Sequence, residues 1–190
     1  MSNFTVVHDI SDTILKILKN DMYGLIPMDR ITLSSPAEIE ADTSPHLSFF
    51  LYQIVENPYL KNQPFHKNNH KTLRLPPLSL NLFYLLTAHA QNRESEQRIL
   101  GRAMQIIYDH SIISGSLLQG DLIGTFDKLE IVLHPLTIDD MNKLWNMFGN
   151  KAYKLSIMYK VSTAMIDSTR EIEIDRITKR VSNYKSQNIH

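Results

Sequence analysis

Two apolar segments, residues 47–55 and 78–87, constrain the fold more than any other feature of the sequence. In the first segment Phe49 would point to one face of an extended strand, and Phe50 and Tyr52 would point to the other. Both faces of the strand would therefore be apolar. A strand of that kind is usually covered on both faces. The two segments therefore predict strands buried inside the protein.

Three other segments have the spacing of amphipathic helices. Residues 3–22 and 95–109 carry apolar residues three and four positions apart, which is typical of a helix with one buried face. A third helix follows Thr137, which we expect to cap it, and ends at Gly149. Its apolar stripe includes Leu144, and we expect this stripe to enter the core.

Alternating segments predict further strands at residues 30–34, 129–133, 153–165 and 171–175. The 153–165 segment is about twice the length of a typical strand, so we expect it to bend or to project beyond the sheet. We expect Tyr159, Val161 and Met165 to lie on one of its faces. Residues 57–75 show no clear periodicity, and such long irregular segments are usually binding loops or mobile.

These elements predict a single α+β domain over residues 1–168, with a mixed or antiparallel sheet flanked by about three helices. A C-terminal strand and polar arm would follow over residues 169–190. No internal repeat or linker divides the chain.

The composition excludes several classes of function. Twenty basic and twenty acidic residues give a net charge of zero, which argues against a general binder of nucleic acid or anionic membranes. The absence of cysteine excludes disulfides, thiolate metal sites and a cysteine nucleophile. Asp9 and Asp12 interrupt the N-terminal segment where a signal peptide would be apolar. We therefore expect a protein that is compatible with the cytoplasm.

No motif predicts a catalytic, cofactor or metal site. His66 and His70 have the spacing of a helical metal pair, but their surroundings are not helical and adjacent lysines repel a cation. Ser114 lacks the glycine setting of a nucleophile elbow. The glycines at 115, 120 and 124 form no phosphate-binding fingerprint. We expect no catalytic residue, no cofactor and no metal.

Charge is unevenly distributed along the sequence. Residues 57–93 contain basic residues and no acid, whereas residues 121–140 contain acids and Lys128 as the only base. The basic residues are Lys61, Lys67, Lys71, Arg74 and Arg93. Opposed patches would suit head-to-tail contacts between copies of the protein; two solvated surface regions are the alternative.

Several blocks of sequence resemble the cap, or tail-terminator, proteins of extracellular contractile injection systems, which are phage-tail-like particles of the antifeeding-prophage type. The blocks are LYQIVEN at 51–57, KNQP at 61–64, LPPLSLNLFYLLT at 75–87, ILGRAMQ at 99–105, LW at 144–145, YKLS at 153–156, Tyr159 and IDS at 166–168. The resemblance extends from the first helix to about residue 181. The block at 75–87 is its most specific part.

The resemblance implies a structural protein and not an enzyme. Family members are expected to have a tail-terminator fold and to form a ring, expected to be hexameric, on the distal end of the inner tube and sheath. Such a ring ends polymerisation and links tube to sheath. The implied partners are further copies of the protein, a tube protein and a sheath protein, with no nucleic acid and no inserted membrane. Assembly would take place in the cytoplasm, and the particle could leave the cell after lysis.

The patterning and the resemblance together predict two contact regions. The 57–75 loop is expected at a subunit or tube interface, and the C-terminal strand and arm at the sheath, by addition of a strand to a sheet. The predicted interface residues are Lys61, Asn62, Gln63, Lys67, Lys71, Arg74, Arg170, Glu171, Ile172, Ile174 and Arg176. Another assembly adaptor of the same particle, such as a tube initiator or baseplate part, is the alternative, followed by a small hydrolase using His66 or His70.

Overall fold

Helices and strands are mixed along the sequence in an α+β arrangement. The computed structural model describes residues 4–40, 44–61, 63–67, 72–124 and 128–173, without the side chains of residues 66, 67 and 163. The helices are α1 (Val6–Asp21), α2 (Arg93–Asp109) and α3 (Ile138–Asn146). The strands are β1 (Ile31–Thr32), β2 (His46–Glu56), β3 (His66–Lys67), β4 (Thr72–Arg74), β5 (Leu78–His89), β6 (Ile112–Ser114), β7 (Lys128–Leu133), β8 (Ser156–Ile166) and β9 (Glu171–Glu173).

Six of these strands form a mixed sheet in the order β1-β2-β5-β8-β7-β6. β1 runs parallel to β2, and the other neighbours are antiparallel. The central position of β5 agrees with its apolar sequence, because a strand between two neighbours is shielded along its whole length. The predicted α+β fold with a mixed sheet and three flanking helices is confirmed.

The protein divides into two compact units. The larger contains residues 1–62 and 77–167, with the six-stranded sheet and the three helices. The smaller contains residues 63–76 and 168–190, and its described strands form a sheet in the order β3-β4-β9. The expected domain boundary after residue 168 stays a prediction.

One face of the larger sheet is covered by α1 and α2. Ile10 and Leu18 of α1 and Ala103 of α2 are fully buried in this core. Phe49 of β2 and Tyr84 of β5 stack there with ring centroids 4.4 Å apart. The apolar stripe of each helix thus faces the sheet, as its spacing predicts.

The opposite face is covered by α3. Leu85 of β5 and Met158 of β8 are buried against Leu144 of α3. Phe148 packs edge-on against Phe50 of β2, with 6.0 Å between ring centroids. The expectation that β2 and β5 are covered on both faces is therefore confirmed for this part of the sheet, although Ile54 near the end of β2 is 48% exposed.

An irregularity in β8 changes which residues face the core. Leu80 pairs with Ala164 and Leu82 with Val161, so β8 carries one more residue than β5 over this step. Val161 and Ala164 are both buried on the face that α1 and α2 cover. The expectation that Met165 shares the face of Val161 is wrong, because a bulge shifts the alternation by one residue.

Two other expectations need correction. The 57–75 segment, expected to be irregular, contains the short strands β3 and β4. β8 begins at Ser156 and not at residue 153. It contains 11 residues, which is close to the upper end of the usual range for strands.

Candidate assembly surfaces

Two segments that are distant in sequence form the sheet of the smaller unit. β4 lies between β3 and β9 and runs antiparallel to both. Arg74 is opposite Glu171 in the register, and its Nη2 donates a hydrogen bond of 3.0 Å to Glu171 Oε1. Leu73 is opposite Ile172, and both residues are half-buried. The 57–75 segment and the C-terminal strand, predicted to meet different partners, thus contribute to one small sheet.

β9 has an edge that the described part of the protein leaves without a neighbouring strand. β4 pairs with one side of β9, and no described strand lies on the other. An uncovered edge presents backbone N–H and C=O groups that can pair with a strand of another protein. Acidic Glu171 and Glu173 flank Ile172 in this strand, and like charges oppose pairing with an identical edge. The edge therefore suits a strand of different composition.

The other predicted interface residues lie in several places. Lys61 belongs to the larger unit, where its Nζ is 3.1 Å from Glu56 Oε2. Gln63 is half-buried. The N–H of Arg170, which is exposed, donates to Ser168 Oγ at 3.1 Å.

The structure describes the remaining predicted interface residues only in part. Lys67 pairs with Leu73 in the β3–β4 ladder. The residues that fall outside the described ranges are Asn62, Lys71, Ile174 and Arg176. His70, the second histidine of the weighed metal pair, also falls outside them.

The basic segment, residues 57–93, is partly neutralised by acidic side chains of the same protein. Lys61 pairs with Glu56, Arg74 with Glu171 at 3.0 Å, and Arg93 Nη1 lies 3.5 Å from Glu96 Oε2. The Lys61–Glu56 pair is exposed, and a pair of this kind contributes only about 0.2–1 kcal/mol. All three pairs offset positive charge of the segment. The contrast between basic and acidic segments is therefore weaker in the folded protein than in the sequence.

An apolar groove lies where α2 leaves β7 and β8 uncovered. Its volume is about 490 Å³, and Ile107, Tyr108 and Leu133 are among the residues that line it. Tyr108 is 81% exposed and Leu133 is 55% exposed. At the floor of the groove, burial raises the pKa of Tyr159 to about 12, so its phenol stays neutral. A concave and mostly apolar groove of this volume is typical of a binding site.

Sequence reasoning did not identify this groove, although a weak signal exists. Tyr108 follows the apolar stripe of α2 without belonging to it, and Val132 and Leu133 are consecutive apolar residues at the end of an alternating strand. Each is unremarkable alone, because single exposed apolar residues are common. Only the fold brings them together.

Within the described ranges, no helix is long and apolar enough to cross a membrane. The same residues contain no cluster of three or more histidine or acidic side chains that could hold a metal ion.

Comparison with known protein families decides the relationship. Residues 9–180 match the family described as the Pvc16 N-terminal domain. The protein belongs to this family. The match covers both units, since it includes the 57–75 segment and β9. No curated protein matches the sequence.

Solved structures that share the fold of this protein include two components of contractile injection systems. One is the sheath/tube terminator of an extracellular contractile injection system, PVC, in its extended state; it is 16% identical with a TM-score of 0.68, covering 100% of this chain and 66% of that chain. The other is the tube-terminating cap of the anti-feeding prophage; it is 18% identical with a TM-score of 0.61, covering 93% of this chain and 61% of that chain. The protein thus spans somewhat less than two thirds of the length of either structure. The predicted resemblance to cap and terminator proteins is confirmed at the level of family and fold.

Proposed function

We propose that this protein ends the growth of the inner tube and contractile sheath of a phage-tail-like particle by forming a ring on their distal end. The observation that carries the proposal is the likeness in fold of the whole chain to a sheath/tube terminator and of most of it to a tube-terminating cap. In this role it is a structural protein that needs no catalytic residue, cofactor or metal.

The mechanism is the capping of a growing end. Each subunit added to a tube or sheath leaves a surface that templates the next one. A ring that matches this surface on one side only covers the template and offers no new one. Heterologous contacts close into such a ring when the rotation between subunits closes. A ring of six copies is our expectation from the family pattern.

The small sheet of the smaller unit is the proposed contact with the sheath. Its β9 edge offers main-chain hydrogen bonds to an extended segment of a sheath subunit, which is the strand-addition mode of recognition. The acidic residues of β9 favour a heterologous strand over a second copy of the same edge. The 57–75 segment contributes β4 to this sheet, so we assign it to the same contact.

The apolar groove between α2, β7 and β8 is the surface we assign to contacts between subunits or with the tube. Its burial would remove exposed side chains such as Tyr108 and Leu133 from water, and each square ångström of apolar surface buried contributes about 25 cal/mol. Assembly would take place in the cytoplasm, before the particle leaves the cell.

The location of the protein on assembled particles tests the proposal. The protein is tagged for gold labelling, added to particles built from the tube, sheath and baseplate proteins encoded with it, and viewed by negative-stain electron microscopy. We expect label at the end away from the baseplate, with six-fold averages of that end. Label at the baseplate end would favour the alternative role of an initiator or adaptor, and label along the sheath would contradict both roles.

A further inference from the structure

A turn after β2 presents the most exposed large apolar side chain in the described part of the protein. Tyr59 is 93% exposed, and it belongs to the turn of residues 57–60 in the larger unit. A ring this exposed buries almost no surface in its own chain, so it adds little to the stability of the fold. Tyrosine is one of the residue types that contribute most to protein–protein binding. Tyr59 therefore has the properties of a binding anchor.

Several contacts fix this turn. The Asn57 N–H donates to the Ser79 carbonyl at 2.8 Å, and the Leu60 N–H donates to the Asn57 carbonyl at 3.2 Å. The Asn57 side-chain oxygen accepts from the Tyr59 N–H at 3.1 Å. Pro58 restricts the backbone between them, since its ring fixes φ at about −65°. An anchor that is held in place before binding loses less entropy when it binds.

The apolar groove between α2, β7 and β8 has the chemistry to receive a tyrosine ring. Its volume is about 490 Å³, and none of its lining residues is charged. Gln105 and Ser111 supply polar groups among the apolar walls. Gln105 Oε1 accepts from Arg102 Nη1 at 2.9 Å, and the amide nitrogen of the same side chain can donate to a phenol oxygen. An apolar ring with one hydroxyl matches this lining.

Tyr59 lies too far from the groove of its own molecule to enter it. β5 and β8 lie between β2 and β7, so β2 and β7 are separated by three strand spacings of about 4.8 Å. The groove is also displaced along the sheet. Leu133 in the groove pairs with Tyr159, which pairs with Tyr84 of β5, several residues from the position on β5 that pairs with Glu56. A contact between Tyr59 and the groove therefore joins two copies of the protein.

We propose that the Tyr59 side chain of one copy inserts into the apolar groove of the next copy, so that identical head-to-tail contacts join the subunits of the ring. The inference rests on the ring of the proposed function and names the side chain and the surface that join its subunits. A protruding residue and a groove at different places on one molecule make a heterologous contact, which can close into a ring. Lys61 beside the turn is paired with Glu56 at 3.1 Å, and the groove lining is uncharged, so the contact buries no unpaired charge.

The absence of cysteine allows the contact to be trapped with two single-cysteine chains. Lys61→Cys places a thiol beside the Tyr59 turn, and Asp109→Cys places one beside Tyr108 of the groove. A short bismaleimide joins thiols that come close, and a tag on one chain separates the mixed dimer by size. The control pair is Lys61→Cys with Lys143→Cys, because Lys143 lies on α3 and its side chain is 78% exposed. We expect the first pair to cross-link about ten-fold faster than the control pair.

Second substitutions test the direction of the contact. Tyr59→Ala in the Lys61→Cys chain should slow the mixed cross-link about ten-fold, because it removes the inserted ring. The same substitution in the Asp109→Cys chain should have no effect. Leu133→Glu should give the reverse pattern, because the groove would desolvate the added carboxylate; Leu133 is 55% exposed, so the fold tolerates the change.

Two milder substitutions serve as controls. Tyr59→Phe keeps the ring and loses the hydroxyl, so it should slow the cross-link only about three-fold. Met147→Ala shortens another side chain that is 77% exposed, and it should have no effect in either chain.

Two outcomes would overturn the inference. The first is a mixed cross-link that forms no faster than the control pair, both with the free protein and with tube and sheath proteins present. The second is a Tyr59→Ala effect that is equal in the two chains, since a head-to-tail contact uses Tyr59 of one chain only. Either outcome with gold label at the distal end removes this contact and leaves the terminator role standing. Directional cross-linking with label at the baseplate end removes that role and leaves the contact standing.

Discussion

Arg74 and Glu171 are 97 positions apart in the sequence, yet Arg74 Nη2 and Glu171 Oε1 are separated by 3.0 Å. They lie directly opposite each other on β4 and β9. The pair joins a basic internal segment to the C-terminal strand. If β9 offers its edge to the sheath, then its ladder with β4 and this ion pair keep β9 extended before the sheath strand binds.

Reversing these charges tests whether the β4–β9 pairing supports the sheath contact. Arg74→Glu and Glu171→Arg each place like charges opposite one another, which is destabilising in a sheet. We expect each single variant to bind sheath several-fold more weakly in a sedimentation assay, and the double swap to recover most of the binding.

The double swap is the matched control, because it has the same composition as the wild type. If the double variant binds as weakly as the worse single variant, the two side chains act separately and the pairing is not what matters. The free energy of unfolding of the larger unit should be unchanged in all three variants.

The Asp9 side chain of α1 packs closely against Gly120 in the 118–124 segment. Gly120 has a φ of +60°, and a Cβ at this position would overlap the Asp9 carboxylate. That carboxylate accepts from Thr5 Oγ1 at 2.8 Å and from the Asp121 N–H at 3.1 Å. We expect Gly120→Ala to lower the free energy of unfolding by about 3 kcal/mol, through backbone strain and the loss of these bonds.

Gly24→Ala is the control for that substitution. Gly24 also has a positive φ, of +85°, but nothing lies within 4 Å of the added Cβ. We expect it to cost about 1 kcal/mol, the strain alone. Urea unfolding followed by circular dichroism measures both values, and equal costs would show that the Asp9 contact is unimportant.

The stacked pair Phe49 and Tyr84 gives a prediction for the core. Tyr84 is fully buried, and its hydroxyl lies 2.7 Å from Ser11 Oγ. We expect Phe49→Ala to cost about 3–5 kcal/mol through loss of buried surface and a cavity. Tyr84→Phe should cost only about 1 kcal/mol, because Ser11 still donates to the Val7 carbonyl at 2.9 Å. Urea midpoints that rank the two variants in the opposite order would contradict this packing.

The histidine at the end of β5 predicts a pH dependence of stability. Its pKa is about 4 in the folded protein against 6.5 in the unfolded one. Between these values the unfolded protein binds a proton that the folded protein does not, so the free energy of unfolding falls as the pH drops from 6.5 towards 4. We expect His89→Gln to lose less stability than the wild type over this window. Equal losses in the two proteins, measured by urea unfolding at pH 7 and 4.5, would show that His89 titrates normally.

The central strands and helices could be predicted because their signal is local. The alternation around Phe49 and the stripe containing Leu144 each report burial within a single element. The bulge in β8 left no such signal, because Ala164 and Met165 are both apolar and either could face the core. β3 and β4 were missed because each is too short for a period to be read.

The candidate surfaces were predictable only in part. Patterning predicts contact regions at β9 and in the basic segment, and this stays a prediction; no property of either sequence indicates that Leu73 pairs with Ile172. Trp145 belongs to an apolar helix stripe, and only the packed structure shows that its indole nitrogen is buried without a hydrogen-bond partner among the described residues.

Particle length tests the central claim most directly. Tube and sheath proteins are polymerised from the baseplate with and without this protein, and lengths are measured by electron microscopy. The terminator role predicts that the protein yields particles of narrow length distribution that do not elongate when fresh tube and sheath subunits are added. Continued elongation at the same rate in the presence of the protein would contradict it.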